Sequence, residues 1–245
     1  MEDKALLSTE VASGAEKAEL LIVIPAYNEA ENIERVVNHL TANFPQYDYV
    51  VVNDGSRDET AAICQRNGYN LLNLPVNLGL AGAFQAGLKY ADKYGYQYAV
   101  QLDGDGQHRP EYLESMIKKM EEGYDIVIGS RFVGEKKPFT MRVLGSNLIE
   151  MAIRFTTGVN IKDPTSGMRM FSKRMIREFA SGLNYGPEPD TVSYLIRQGA
   201  RVAEVPVIMD ERILGVSYLT PVNAMRYMLK MLISILLIQN FRKRR

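Results

Sequence analysis

From Leu20 onward the chain alternates short apolar runs with segments of helical period. Leu20 to Ile24 is continuously apolar, as expected of a strand covered on both faces, and Ile33, Val36, Val37 and Leu40 then recur along one helical face. Tyr49 to Val52 predicts a second strand, and a helix follows a polar turn from about Asp58. Leu71 to Leu74 predicts a third strand, with a helix from about Leu80 to Tyr94. A fourth strand, Tyr98 to Leu102, runs into Asp103; a helix begins near Pro110, and Asp125 to Gly129 forms a fifth strand. Beyond it lie a helix-forming segment with Arg142 and Ser146, a helical stretch opened by Pro187-Glu188-Pro189-Asp190, and a strand from Val202 to Ile208. This order predicts an α/β architecture: a central, mostly parallel sheet with helices on both faces.

In such sheets ligands bind at the carboxyl ends of the strands, and that rule sorts the polar clusters. The first strand ends in Pro25-Ala26-Tyr27-Asn28-Glu29, the second in Asn53-Asp54-Gly55-Ser56, the third leads to Asn77-Leu78-Gly79, and the fourth ends in Asp103-Gly104-Asp105-Gly106-Gln107. Any one of these could be turn chemistry alone, and Ser56 and Asp58 serve equally as helix caps or as contacts. Together they place polar groups along one sheet edge. Asp103, Asp105 and Gln107 alternate on a turn, a pattern of oxygen donors that suits a hard divalent cation shared with a substrate phosphate. The chain has no GxGxxG and no GxxxxGK[ST], so neither a dinucleotide oxidoreductase nor a P-loop nucleotidase is supported.

At 245 residues and 46% hydrophobic composition the chain can bury a sizeable core. Basic and acidic residues balance at 29 each, which gives no global bias toward nucleic acid. A lone cysteine, Cys64, rules out an intramolecular disulfide framework, and two histidines, His39 and His108, are too few for a His-based metal site. His108, beside Gln107, is expected to be a loop residue near the metal. Residues 1–18 are small, polar and acidic without an apolar stretch, and are expected to form a flexible arm.

The motifs Val23-Ile24-Pro25-Ala26-Tyr27-Asn28-Glu29, Val52-Asn53-Asp54-Gly55-Ser56, Asn77-Leu78-Gly79 and Asp103-Gly104-Asp105-Gly106-Gln107 resemble those of the family 2 glycosyltransferases of GT-A fold. Ser130-Arg131 and Asp163-Pro164-Thr165-Ser166-Gly167 narrow the resemblance to the dolichyl-phosphate mannosyltransferase-like, or polyprenyl-phosphate glycosyltransferase, branch. The resemblance implies a GT-A, Rossmann-like catalytic domain over 19–218. On the donor side it implies contacts from Pro25, Tyr27, Asn28, Glu29, Asp54, Gly79 and Asp103. Arg212 and Ser217 would close over the donor phosphates, although Tyr218 stands where such proteins commonly have lysine. It implies Mg²⁺ or Mn²⁺ on Asp103, Asp105 and Gln107. Arg131, Arg142, Ser146 and Ser166 fall on the acceptor side, with Asp163 orienting substrate beside Asp105 and Arg131 as the catalytic set. Lys136 and Lys137 offer nearby cations in place of Arg142.

The activity so implied is inverting transfer of one sugar, from a UDP-hexose, UDP-N-acetylhexosamine or GDP-mannose, to a polyprenyl phosphate on the cytoplasmic face of a membrane. The alternative is transfer to a hydroxyl of a lipid-linked or cell-surface polysaccharide, which would require a general base. A sugar-1-phosphate nucleotidyltransferase lacks support, since no Gly-rich, Arg-containing loop follows the first strand. A non-catalytic binding module is disfavoured by the intact Asp103, Asp105 and Gln107 set. Residues 219–245 carry Met225, Met228, Leu229, Leu232, Ile233, Leu236 and Leu237 at helical spacing before Arg242-Lys243-Arg244-Arg245. The uninterrupted apolar run is too short to span a bilayer, so an amphipathic helix is expected to lie on a membrane surface, or else in an interface between copies of the chain.

Overall fold

The computed structural model describes residues 19–134, 137, 140–181, 186, 188–210 and 221–240. The expected N-terminal arm, Arg212, Ser217, Lys136 and the basic tetrad at 242–245 lie outside the described residues, as does the side chain of Arg142.

Seven strands form one sheet in the order β3-β2-β1-β4-β6-β5-β7. They are β1 (Leu20–Ala26), β2 (Asp48–Asn53), β3 (Leu71–Asn73), β4 (Tyr98–Gln101), β5 (Ile126–Ser130), β6 (Arg169–Ser172) and β7 (Val202–Pro206). All pairings are parallel except those of β6, which runs antiparallel between β4 and β5. The carboxyl ends of β1, β2, β4, β5 and β7 therefore share an edge with the loop that enters β6. The strand order reverses about β1, which is flanked by β2 and β4, and this makes the crevice where such sheets bind ligands.

The helices are α1 (Ile33–Asn43), α2 (Thr60–Arg66), α3 (Gly79–Tyr94), α4 (Leu113–Glu121), α5 (Met141–Thr157), α6 (Lys173–Ser181), α7 (Pro189–Arg197) and α8 (Pro221–Leu236). Alternation along β1 divides them. Leu20, Ile22 and Ile24 face a core with Ile33 and Val37 of α1 and Leu113 and Met116 of α4. Leu21 and Val23 face a second core with Phe84 and Leu88 of α3, Ile149 and Ile153 of α5, Phe179 of α6 and Met231 and Ile235 of α8. Both faces of β1 are thus dry, which is why its sequence is continuously apolar.

The C-terminal helix joins this body through its inner face. Ser234 and Gln239, both buried, hydrogen-bond the Asp190 carboxylate at 2.6 and 3.3 Å, and Tyr227 donates to Glu188, which ties α8 to the start of α7. Gly145 of α5 allows a close approach, since a Cβ there would come within 2.8 Å of the Met228 side chain.

Asp125 locks the far end of β5. Its carboxylate accepts from Arg174 at the head of α6, from the Arg201 N–H before β7 and from Ser172 at the end of β6. Burial opposes its ionisation, but these donors prevail and hold the carboxyl below the ordinary aspartate value of 3.8. Since the folded-state value is the lower one, this stabilisation is complete above 3.8 and fades as pH falls through the depressed value. Asp125→Ala is expected to cost about 1–3 kcal/mol near neutral pH. Urea denaturation of both proteins should show the gap closing on acidification, and a gap of constant size would refute this account.

Candidate active site

A cleft of about 660 Å³ opens at the carboxyl edge, lined by Pro25, Tyr27, Glu29, Asp54, Gly79, Asp103, Asp105, Gln107, Arg131, Thr165 and Arg169 among others, with Glu188 and Tyr227 on its far side. The sheet gathers these from loops far apart in sequence. On the β1–β2 side the backbone is held by side chains that do not themselves face the cleft. Asn28 sits at φ 55, in the left-handed region that asparagine tolerates, and its Oδ1 accepts from the Arg57 N–H at 2.9 Å. Its own N–H donates to Ser56 Oγ, while Asp58 accepts from Ala30 N–H and Thr60. Asn28, Ser56 and Asp58 thus brace the two loops against each other. Asp54, only 3% exposed, lines the cleft and accepts from the Leu78 N–H at 2.7 Å. Gly55 is required beside it: φ is +62, and a Cβ would lie 2.7 Å from the Val76–Asn77 backbone.

The turn after β4 is supported from beneath. Gln101 Nε2 donates to Asp103 Oδ1 at 2.8 Å, and the Asp103 N–H donates to His108 Nδ1 at 3.0 Å. With Nδ1 accepting, the neutral ring carries its proton on Nε2, which lies 3.7 Å from Asp103 Oδ2. His108 is buried and orients Asp103, a fuller role than that of a loop neighbour. Asp105 Oδ1 accepts from the Gln107 N–H, and Arg35 Nη2 donates to the Asp105 carbonyl. Gln107 exchanges hydrogen bonds with the Asp210 backbone, and the Arg109 guanidinium closes on the Asp210 carboxyl and holds it below its ordinary range. The donors offered to the cleft here are all oxygens, the preference of a hard divalent cation. Among the described residues no three His, Cys, Asp or Glu side chains converge as a complete metal cage. Such a partial shell fits an ion of the Mg²⁺ type, which keeps waters and completes its coordination on a substrate phosphate.

On the β5–β6 side Arg131 and Asp163 meet each other. Arg131 Nε and Nη2 reach the two Asp163 oxygens at 2.7 and 2.8 Å, and the Arg131 N–H adds a third bond at 3.0 Å. Asp163 is fully buried, and its hydrogen bonds raise the Arg131 guanidinium further above its ordinary value. Glu204 of β7 accepts from the Lys162 and Asp163 N–H groups at 2.8 Å each, so this turn is fixed by its backbone as well. The Ser166 hydroxyl donates to the Gly129 carbonyl at 2.5 Å and accepts from the Met168 N–H, which commits it to the turn. Ser146 is buried 3.4 Å from Thr165 Oγ1, and it is Thr165 that faces the cleft. Lys137 is committed to Asn147 and Glu150 of α5. Three residues that the sequence motifs did not single out complete the site: Gln101, Arg169 and Tyr227. Gln101 and Arg169 are polar residues at the ends of apolar strands, a signal visible only once the strands are paired.

The model for "Glycosyl transferase family 2" matches residues 21–180. The polyprenol monophosphomannose synthase of Mycolicibacterium smegmatis is 32% identical over 86% of this chain and 84% of that protein. The undecaprenyl-phosphate mannosyltransferase of Micrococcus luteus is 31% identical over 81% of this chain and 86% of its own length. Among solved structures, glucosyl-3-phosphoglycerate synthase from Mycobacterium tuberculosis, in complex with Mn²⁺, UDP and phosphoglyceric acid, superposes with a TM-score of 0.66 at 19% identity, covering 92% of this chain and 79% of that one. The sheet order, the cleft at the strand ends and these likenesses agree on a GT-A fold, and the chain belongs to glycosyl transferase family 2.

Proposed function

We propose that this protein transfers one sugar from a nucleoside diphosphate sugar to a polyprenyl phosphate, with inversion, at a membrane surface. The observation that carries the reading is the division of the cleft. Tyr27, Glu29 and Asp54 stand with the Asp103 and Asp105 carboxylates at the ends of β1, β2 and β4, while Arg131, Thr165 and Arg169 occupy the β5–β6 side. The first group suits a base, a ribose and a cation-bound diphosphate, and the second suits an anion. A divalent cation, Mg²⁺ or Mn²⁺, held by Asp103 and Asp105 with Gln107 beside them, would stabilise the negative charge of the departing nucleoside diphosphate. Its use here is supported by the oxygen donor set and by the Mn²⁺ named with the tuberculosis enzyme.

A phosphate acceptor attacks the anomeric carbon as an anion and needs no proton removed, whereas a hydroxyl acceptor needs a base. Asp163, the acid expected on that side, is sealed and saturated by Arg131, which favours the phosphate. The names of the two mannosyltransferase relatives point the same way.

The membrane part of the reading rests on α5 and α8. These helices pack together, yet leave Leu148, Met151 and Phe155 of one and Met225, Leu229 and Ile233 of the other exposed. No helix of the described residues is long and apolar enough to cross a membrane. Tyr227 and Met228 of α8 line the cleft, so a bilayer covering these stripes would lie beside its mouth. One experiment tests the whole reading: vesicles containing polyprenyl phosphate are mixed with the protein, Mn²⁺ and labelled GDP-mannose or UDP-N-acetylglucosamine, then sedimented. Label and protein should both enter the lipid pellet, and the transfer should stop with a chelator. Label that stays aqueous with both donors would refute the acceptor, and protein left in the supernatant would refute the docking face.

A further inference from the structure

One cation of the cleft makes no salt bridge among the described residues. Arg169 begins β6, is 4% exposed and lines the cleft. Its Nη2 donates to the Pro164 carbonyl at 2.7 Å, and its buried Nε has no hydrogen-bond partner among the described residues. Among the described residues it forms no ion pair. Of the carboxylates around that half of the cleft, Asp163 is paired with Arg131, while Glu188 and Asp190 accept from neutral groups, the Tyr227 hydroxyl and Ser234 with Gln239, and neither forms a salt bridge with Arg169. A guanidinium taken out of water without a counter-charge destabilises the fold unless an anion compensates it, and buried polar atoms without partners are rare enough to require a reason.

Strand register supplies the placement. The β4–β6 ladder ends with Val100 opposite Met170, so the next residues along, Gln101 and Arg169, face each other on the same side of the sheet. Gln101 is the residue that holds Asp103. Arg169 therefore lies one strand from the carboxylate turn and in contact with the 163–167 turn. The other cleft arginine, Arg131, has its fork closed by Asp163, so Arg169 brings the less compensated charge.

We propose that Arg169 forms an anion subsite in the floor of the cleft and takes the phosphate of the acceptor. This deepens the functional reading above and rests on it. Phosphate could also come from the donor diphosphate, but Arg169 adjoins the 163–167 turn that enters β6, on the other side of β4 from the β1 and β2 ends that carry Tyr27 and Asp54. A monoester phosphate there would give the guanidinium a direct ion pair and its Nε an acceptor, and the site would be poised for it at some expense to the empty protein.

Calorimetric titration of the full chain and its Arg169→Met and Arg169→Lys variants, with farnesyl phosphate and separately with UDP and GDP in Mn²⁺, tests the subsite. Arg169→Met should weaken farnesyl phosphate about 10- to 100-fold, the scale of a charge-assisted hydrogen bond, with partial recovery in Arg169→Lys. Binding of the preferred nucleoside diphosphate should stay within about twofold, because its contacts lie elsewhere. The ligand-free Arg169→Met protein should melt no lower than the parent. Unchanged farnesyl phosphate affinity overturns the subsite, as does a loss confined to the nucleoside diphosphate. A melting point lowered by several degrees, with both ligands weakened, would make Arg169 a prop for Pro164 and also overturn it. No farnesyl phosphate binding by the parent chain would instead overturn the functional reading itself.

Discussion

Asp105→Asn is expected to lower sugar transfer by about two to three orders of magnitude, the scale of losing one preorganised stabiliser of transition-state charge. The substitution isolates charge from shape. Asp105 is buried, and its Oδ1 accepts from the Gln107 N–H, a bond that the asparagine oxygen can keep, so the turn after β4 should survive. What disappears is half of the carboxylate pair proposed to hold the cation. Nucleoside diphosphate binding should then lose its dependence on Mn²⁺, while the melting temperature changes little. His108→Ala should show a milder form of the same defect, about 10- to 100-fold, because His108 acts on the turn by accepting from the Asp103 N–H. Single-turnover transfer at saturating Mn²⁺ measures both. Full activity in Asp105→Asn would remove the metal from this position.

The second large effect is on folding. Asp163→Asn is expected to destabilise the protein by about 3 kcal/mol, toward the lower end for a broken buried ion pair because Arg131 is partly open to water. Asp163 is wholly buried and accepts from Arg131 Nε, Nη2 and N–H. Exchanging it for an amide leaves the guanidinium without its counter-charge and presents N–H groups where only acceptors fit. Turnover should fall as well, since the 163–167 turn and Arg131 lose their shared anchor. Denaturant titration of Asp163→Asn, Arg131→Met and the double variant separates the effects, and the double variant should recover part of the stability. A variant Asp163→Asn that kept its stability and its donor binding but lost turnover would contradict this account. It would make Asp163 a base for a hydroxyl acceptor.

The two results concern residues that were equally visible as motif members, yet the structure gives them different surroundings. Asp103, Asp105 and Gln107 are neighbours in the chain, and a turn between glycines brings them to the cleft by local geometry. Asp163 and Arg131 are distant in sequence, and nothing local reveals that each is the other's partner. The same limit explains β6. Arg169–Ser172 is a short strand with polar ends, and its antiparallel position between β4 and β5 arises only when three distant segments pair. Arg169 was therefore silent in the sequence and prominent in the structure. Asn28 shows the converse, because it belongs to a motif from which donor contacts were expected but braces Arg57 and Ser56 without lining the cleft.

By itself the sequence determined the order of strands and helices as far as β5, the edge on which the polar loops gather and the oxygen character of the Asp103 turn. These follow from periodicity, from the covering of β1 on both faces and from residues close in the chain, all of which are local properties. Only the tertiary structure decided which charges are spent and which are left. It closed Arg131 on Asp163, set Gln101 and His108 under Asp103, docked α8 through Asp190, and left Arg169 with no salt bridge among the described residues. The physical reason is that a charge is compensated or not by what folding places within a few ångströms of it, and those neighbours come from strands and turns far apart in sequence.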